Sequence, residues 1–183
     1  MQIIEWPQFL QSGLSLKEKQ TSMTVGVFDG VHRGHQALIE RVVSRNADFA
    51  PVVITFKENH KTGAGDILTF EEKTKILAGM GVEILLVVDF TESFRNMRGI
   101  EFLEILMERG NVGFFAVGSE FRCGRNLDTD AAAIGGFFSS RGVPFETVPE
   151  VMESGLPISS SRIRAALAAG DIGLAEEMLG RQY

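Results

Sequence analysis

Long apolar runs are missing from this chain. Ile84-Leu85-Leu86-Val87-Val88 has the length of a buried strand, and no run approaches the ~18 apolar residues that span a bilayer. Cysteine is nearly absent as well. Cys123 stands alone, which excludes an internal disulfide and suits a reducing compartment. Basic charge is not in excess: 18 lysines and arginines face 24 acidic residues, giving a net charge of −6, and the basic residues are scattered. That balance argues against general nucleic-acid binding, which relies on a basic stripe. Residues 1–7 lack the basic start and apolar core of a secretory signal. Three widespread chemistries also lack their motifs. There is no Gly-x-x-x-x-Gly-Lys-Ser/Thr P-loop, no Gly-x-Gly-x-x-Gly turn after the first strong strand, and no Gly-x-Ser-x-Gly nucleophile elbow. What remains is a chain of 183 residues with an ordinary apolar content of 44%, expected to be a soluble cytoplasmic protein that binds neither nucleic acid nor membrane.

Short apolar runs alternate with longer amphipathic ones. Residues 23–28, 51–56, 84–89, 114–118 and 144–148 read as strands whose nearly continuous apolar character suits a parallel sheet covered on both faces. Between them, 34–44 places Leu38, Ile39, Val42 and Val43 on one side of a helix. Thr69-Phe70-Glu71-Glu72 reads as a capping box opening a second helix, which stops near Gly79 and Gly81. Further helices are expected over 100–109, 130–141, 160–169 and 171–179, each stopped by a glycine. The pattern predicts an α/β fold: a doubly wound, mostly parallel sheet of five to six strands with helices on both faces, as one domain over 1–183. Residues 1–20 read as an N-terminal appendage and 158–183 as a C-terminal helical segment. Ligands of such sheets bind at the carboxyl ends of the strands, so the loops at 57–68, 119–129 and 149–157 are the places to expect substrate selection.

Two of the chain's three histidines lie three residues apart in His32-Arg33-Gly34-His35, which closes the run Val25-Gly26-Val27-Phe28-Asp29-Gly30-Val31-His32-Arg33-Gly34-His35. A strand runs into an Asp-Gly turn, and the histidines fall where a helix begins. Free backbone N–H groups and the helix dipole favour phosphate there, and Gly34 lets the backbone come close to a bulky anion. A second constellation, Ile158-Ser159-Ser160-Ser161-Arg162-Ile163-Arg164, sets three hydroxyls at a helix start and two arginines in its first turns. Hydroxyls with free N–H groups accept phosphate, and arginine grips it bidentately. Plainer roles exist for both: structural imidazoles or a metal-ligand pair for the histidines, helix caps and a solvated basic face for the second motif. A metal is disfavoured, since His60 is distant and Cys123 has no partner nearby. Phosphates gripped at two helix starts without a P-loop point to nucleotidyl transfer.

The first motif closely resembles the signature of the bacterial FAD synthetases, in the HxGH nucleotidyltransferase superfamily. The second resembles that family's Ile-Ser-Ser-Thr-Arg-Ile-Arg, with Ser161 in place of threonine. Lesser matches run along nearly the whole chain, among them Val53-Ile54-Thr55-Phe56, Lys73 with Gly81-Val82-Glu83, Phe94 with Glu101-Phe102, and the closing Leu179-Gly180-Arg181-Gln182-Tyr183. The resemblance implies transfer of AMP from ATP to FMN, giving FAD and pyrophosphate, with Mg2+ carried mainly on ATP phosphates. It implies that His32 and His35 steady the triphosphate and that Ser160, Ser161, Arg162 and Arg164 hold the β- and γ-phosphates, with Arg162 grouped with the histidines as catalytic. Gly26, Phe28 and Gly34 would line the ATP site. Asp29 is either an outer contact there or the residue that fixes the Asp-Gly turn. Phe56, Glu120, Phe121 and Arg125 would face FMN. In the usual bifunctional enzyme a riboflavin kinase domain follows, so that activity is expected from a separate protein or a missing domain.

Departures fall in the loops expected to read the flavin. Lys57-Glu58-Asn59-His60 stands where the family has Glu-Pro-His-Pro. In Gly118-Ser119-Glu120-Phe121-Arg122-Cys123-Gly124, Glu120 is longer by a methylene than the family's residue and Cys123 replaces a large aromatic one. Two other readings therefore stand beside FMN adenylyltransferase: nucleotidyl transfer to another small phosphorylated acceptor, and a binding protein that holds nucleotide or flavin without turnover.

Overall fold

Successive side chains along the central strands point alternately into two apolar layers, and that period of two organises the molecule. In the computed structural model, which describes residues 1–14, 16, 19–57 and 65–183, six strands form one parallel sheet. They are β1 (Gln2–Glu5), β2 (Gln20–Val25), β3 (Phe49–Phe56), β4 (Ile84–Val88), β5 (Val112–Gly118) and, after four more elements, the strand Phe145–Val148. Between β5 and that last strand lie the two-residue strands β6 (Arg122–Cys123) and β7 (Thr129–Asp130), so Phe145–Val148 is β8. The sheet order is β1-β4-β3-β2-β5-β8, with every neighbouring pair parallel. From β2 the chain steps outward through β3 and β4 on one side and through β5 and β8 on the other. The switch point therefore lies between β2 and β5, where doubly wound sheets open a ligand crevice.

Val52, Ile54, Leu86, Phe115 and Val117 point into one layer, packed under α1 (Trp6–Ser12), α5 (Gly99–Gly110) and α6 (Ala131–Ser139). Val53, Leu85, Val87, Phe114 and Ala116 point into the other, under α2 (Arg33–Val43) and α3 (Phe70–Gly79). Both layers come from the sequence pattern. In α2, Leu38, Ile39 and Val42 are buried at helical spacing. In α3, Thr69 accepts from the Glu72 N–H while the Glu72 carboxylate accepts from the Thr69 N–H, which is the predicted capping box. A short α4 (Glu92–Asn96) precedes α5. The hairpin of β9 (Met152–Glu153) and β10 (Leu156–Pro157) leads into the closing pair α7 (Ser160–Ala168) and α8 (Ile172–Leu179). That pair has its own small core of Ile158, Ile163, Met178 and Leu179, with Ile67 from the loop before α3.

Two expectations change. The first twenty residues, read as an appendage, contribute β1 as an edge strand beside β4, and Trp6 and Phe9 sit in the main core. β1 is too short to carry a visible period, so its membership comes from pairing rather than from local pattern. The first strong strand ends at Val25 instead of running to residue 28, because the Gly26 N–H makes the last ladder bond to Ile54 and Phe28 turns left-handed at φ 53°. No helix among the described residues is long and apolar enough to cross a membrane.

Candidate active site

The loop after β2 is a tight turn before it is anything else. Phe28 (φ 53°), Gly30 (φ 79°) and Val31 (φ 39°) are all left-handed, a conformation glycine adopts freely and β-branched valine resists. A Cβ on Gly30 would press on Ile67 and Leu179, so glycine also answers close packing there. The turn delivers His32 to the N-cap of α2, where its Nδ1 accepts from the His35 N–H at 3.3 Å. With Nδ1 accepting, the neutral ring carries its proton on Nε2 and offers it as a donor. The two imidazoles stack with centroids 3.5 Å apart and planes 17° from parallel, and Phe28 meets His35 edge-on at 5.2 Å. Gly34 allows this stacking directly: a Cβ there would touch the His32 ring at 3.2 Å.

Burial keeps both rings neutral. It pulls His32 down to about 4, with the Asp29 carboxylate opposing the shift. His35 lies well below the usual histidine value because of burial first, then the neighbouring His32 and Lys73. The His35 Nδ1 is buried with no hydrogen-bond partner among the described residues. The pair is thus a set of positioned neutral dipoles at a helix N-terminus.

The second motif arrives on the same spot. Ser159 caps α7 by accepting from the Arg162 N–H. Ser160 Oγ donates to the Asp29 carbonyl at 2.9 Å, and the Arg164 guanidinium pairs with the Asp29 carboxylate. That carboxylate also accepts from the Ile67 N–H at 2.9 Å. Asp29 therefore joins the histidine turn to α7 and also lines the cavity between them.

All of this borders one cavity of about 540 Å³ at the switch point. Gly26, Phe28, Asp29, His32, Gly34 and His35 line it from the β2 side. Ser160, Ser161 and Arg164 line it from α7, and Phe56, Glu120 and Phe121 from the far wall. Two expected residues do not reach it. Arg162 turns away and donates to the carbonyls of Leu156 (2.9 Å), Pro157 (2.7 Å) and Glu153 (3.3 Å), so it braces the β9–β10 hairpin and lies outside the cavity lining. Arg125 lies outside the lining, in the loop whose backbone N–H bonds Met97 O at 2.8 Å. The departure at Glu58-Asn59-His60 falls outside the described residues.

Residues not anticipated complete the far wall. Phe90, Arg95 and Met97 line it, and Phe56, Phe90 and Phe94 meet at ring separations of 5.5–5.9 Å. The spacing of Phe90 and Phe94 just beyond β4, four apart on the ligand edge of the sheet, was the available signal. Cys123 also lines the cavity, and burial pushes its thiol up to about 12, so it is a neutral apolar wall rather than a nucleophile. One end of the cavity thus offers the Arg164 guanidinium, hydroxyls and a helix start, and the other offers aromatic faces with Arg95 beside them. That is the layout for a phosphorylated ligand with a flat ring system.

A model of the FAD synthetase family matches residues 15–162. The chain belongs to the FAD synthetase family. Among curated relatives, a bifunctional riboflavin kinase/FMN adenylyltransferase of Pseudomonas fluorescens is 33% identical over 170 residues, covering 87% of this chain and 54% of that one. The Escherichia coli K12 protein of the same description is 30% identical, with 88% and 54% covered. A Listeria monocytogenes FAD synthetase is 28% identical, with 88% and 69% covered. The chain thus spans about half the length of the bifunctional relatives. A solved Streptococcus pneumoniae structure, described as a macrolide-efflux protein, superposes with a TM-score of 0.85 at 26% identity over 99% of this chain and 60% of its own. The likeness of this FAD synthetase family member to that structure fits the six-stranded parallel α/β fold described above.

Proposed function

We propose that this chain transfers AMP from ATP to FMN, giving FAD and pyrophosphate. The observation that carries the reading is the convergence of His32, His35 and the α7 motif on one cavity whose opposite wall is aromatic. Family membership and the two named activities of its relatives support the same choice of substrates.

The FMN phosphate attacks the α-phosphorus of ATP in line. One P–O bond forms, the bond to the β-phosphate breaks, and pyrophosphate leaves with the electron pair. No side-chain nucleophile is required, so positioning and charge stabilisation do the work. His32 donates from Nε2 toward the phosphate chain as negative charge moves onto the leaving group, and His35 fixes the His32 ring by stacking. Arg164 supplies the cation at the α7 end, held in place by Asp29. Ser161 and the α7 N-terminus receive the β- and γ-phosphates, while the hydroxyl of Ser160 ties α7 to the turn. Gly26 and Phe28 border the nucleotide, and Phe56, Phe121 and the Phe90–Phe94 cluster border the isoalloxazine.

Mg2+ enters with ATP. The described residues contain no group of three histidine, cysteine, aspartate or glutamate side chains that could cage an ion. Mg2+ binds chiefly through phosphates and water, which suits a site of this kind. The reaction belongs in the cytoplasm, downstream of a riboflavin kinase supplied by another protein or domain.

Incubating the protein with Mg2+, ATP and FMN should quench flavin fluorescence as FAD forms, with one pyrophosphate released per FAD. His32→Ala should lower kcat by about 10²–10³-fold, the usual loss for a preorganised donor at developing charge, and His35→Ala, which removes the ring that fixes it, should lower kcat as well. FAD formation at an unchanged rate in both variants would remove the histidines from the reaction.

A further inference from the structure

Every carbonyl oxygen of the Val27–Val31 turn accepts a hydrogen bond, and four of the five are held from outside the turn. Val27 O accepts from Thr55 Oγ1 (3.0 Å) and Lys73 Nζ (3.3 Å). Phe28 O accepts from the Val31 N–H (3.2 Å), and Asp29 O from Ser160 Oγ (2.9 Å). Gly30 O and Val31 O both accept from one side chain, Arg181, at 2.6 and 3.1 Å. Gln36 Nε2 adds a second donor to Val31 O at 2.8 Å and bonds Leu179 O at the same distance, so it ties the end of α8 to the turn that Arg181 grips.

These bonds matter for two physical reasons. Carbonyl oxygens are partly negative, and any that swung toward the cavity would repel a polyphosphate. A valine at φ 39° also does not keep that conformation unaided, because sterics favour its return to the β or right-handed region. Arg181 acts on both: its fork takes the two carbonyls flanking the strained residue, 150 residues away in sequence. It lies outside the cavity lining, so its influence runs through the backbone that carries His32.

We propose that Arg181 is a positioning residue of the nucleotide site, locking the Val27–Val31 turn with its carbonyls directed away from the phosphates. The proposal rests on the reading that the cavity takes the triphosphate of ATP. It assigns Arg181 an effect on ATP without one on flavin, because the turn carries the histidines and not the aromatic wall of Phe56, Phe90 and Phe94.

Calorimetric titration of the full chain with Mg-ATP and, separately, with FMN tests this on R181Q and R181K. R181Q should weaken ATP binding at least 10-fold and leave FMN binding within 2-fold. R181K, whose ammonium can reach one of the two carbonyls, should recover part of the ATP affinity. Unchanged ATP affinity in R181Q, or equal losses for ATP and FMN, would overturn the proposal. Should R181Q fail to fold, R181K decides alone: a loss of 3-fold or more for ATP only supports it, and equal or no losses overturn it. FAD formation by the unmodified chain is scored separately. No FAD despite ATP binding would overturn the transferase reading and leave Arg181 to be judged by the affinity ratio. No ATP binding by the unmodified chain would overturn both.

Discussion

His32 shows how burial sets the protonation state of a residue at a helix start. The residue is 6% exposed, and a charged imidazole there would lose most of its hydration, so the neutral form is favoured and the pKa falls to about 4. The consequence for stability has a definite sign. The unfolded ring takes up a proton as pH falls through about 6.5, while the folded ring resists until about 4, so the unfolded state binds more protons in that window. Stability contributed by the neutral ring is therefore complete above 6.5 and is lost as pH drops toward 4. The shift corresponds to on the order of 3 kcal/mol for this group. Thermal melts at pH 7 and pH 4.5 should show a drop in Tm that is clearly smaller in His32→Gln than in the unmodified protein. Identical drops would place the acid sensitivity elsewhere. At the same scale, Asp29 illustrates what sequence reading leaves open. An Asp-Gly pair announces a turn, but whether the carboxylate meets a metal, a phosphate or an arginine depends on Arg164, 135 residues away.

At the scale of elements, the two motifs were legible because their signals are local: histidines at a helix start, hydroxyl caps, a glycine between. The capping box of α3 and the apolar face of α2 were legible for the same reason. Arg162 was not. Its spacing on α7 matches a phosphate ligand, yet three hairpin carbonyls lie within its reach and hold its guanidinium. Whether an arginine faces a cavity or a backbone is set by the packing of β9 and β10, which are two residues each and leave no periodic trace. The N-terminus of α5 makes a similar point. A Cβ on Gly99 would lie 2.3 Å from Thr129 Oγ1 and 2.4 Å from its Cβ, while the Gly99 N–H donates to Asp128 Oδ1 at 3.0 Å. Gly99→Ala should therefore force the Asp128–Thr129 loop off α5, at a cost of about 2 kcal/mol typical of overpacking. A fall in Tm of roughly 4–8 °C by calorimetry is the expected result for a domain of this size, and a Tm within 1 °C of the unmodified chain would show that the loop yields freely.

For the whole molecule, function follows from strand order. Placing β2 between β3 and β5 opens the crevice at their carboxyl ends, and the loops after β2 and β5 supply opposite walls of one cavity. Strand–helix alternation was enough to read the class and the ligand edge. It could not reveal that the N-terminal strand lies at the sheet edge beside β4, nor that the segment after α8 returns to grip the turn after β2, since both depend on contacts between residues far apart in sequence. The architecture brings the histidine turn and α7 to one cavity, and the proposed function makes them two halves of a single phosphate site. The most direct test is an ATP titration followed by NMR, observing the imidazole signals of His32 and His35 together with the side-chain signal of Arg164. The account predicts that both sets move and saturate with one dissociation constant. Movement of the histidine signals alone, with Arg164 unperturbed at saturating ATP, would contradict it.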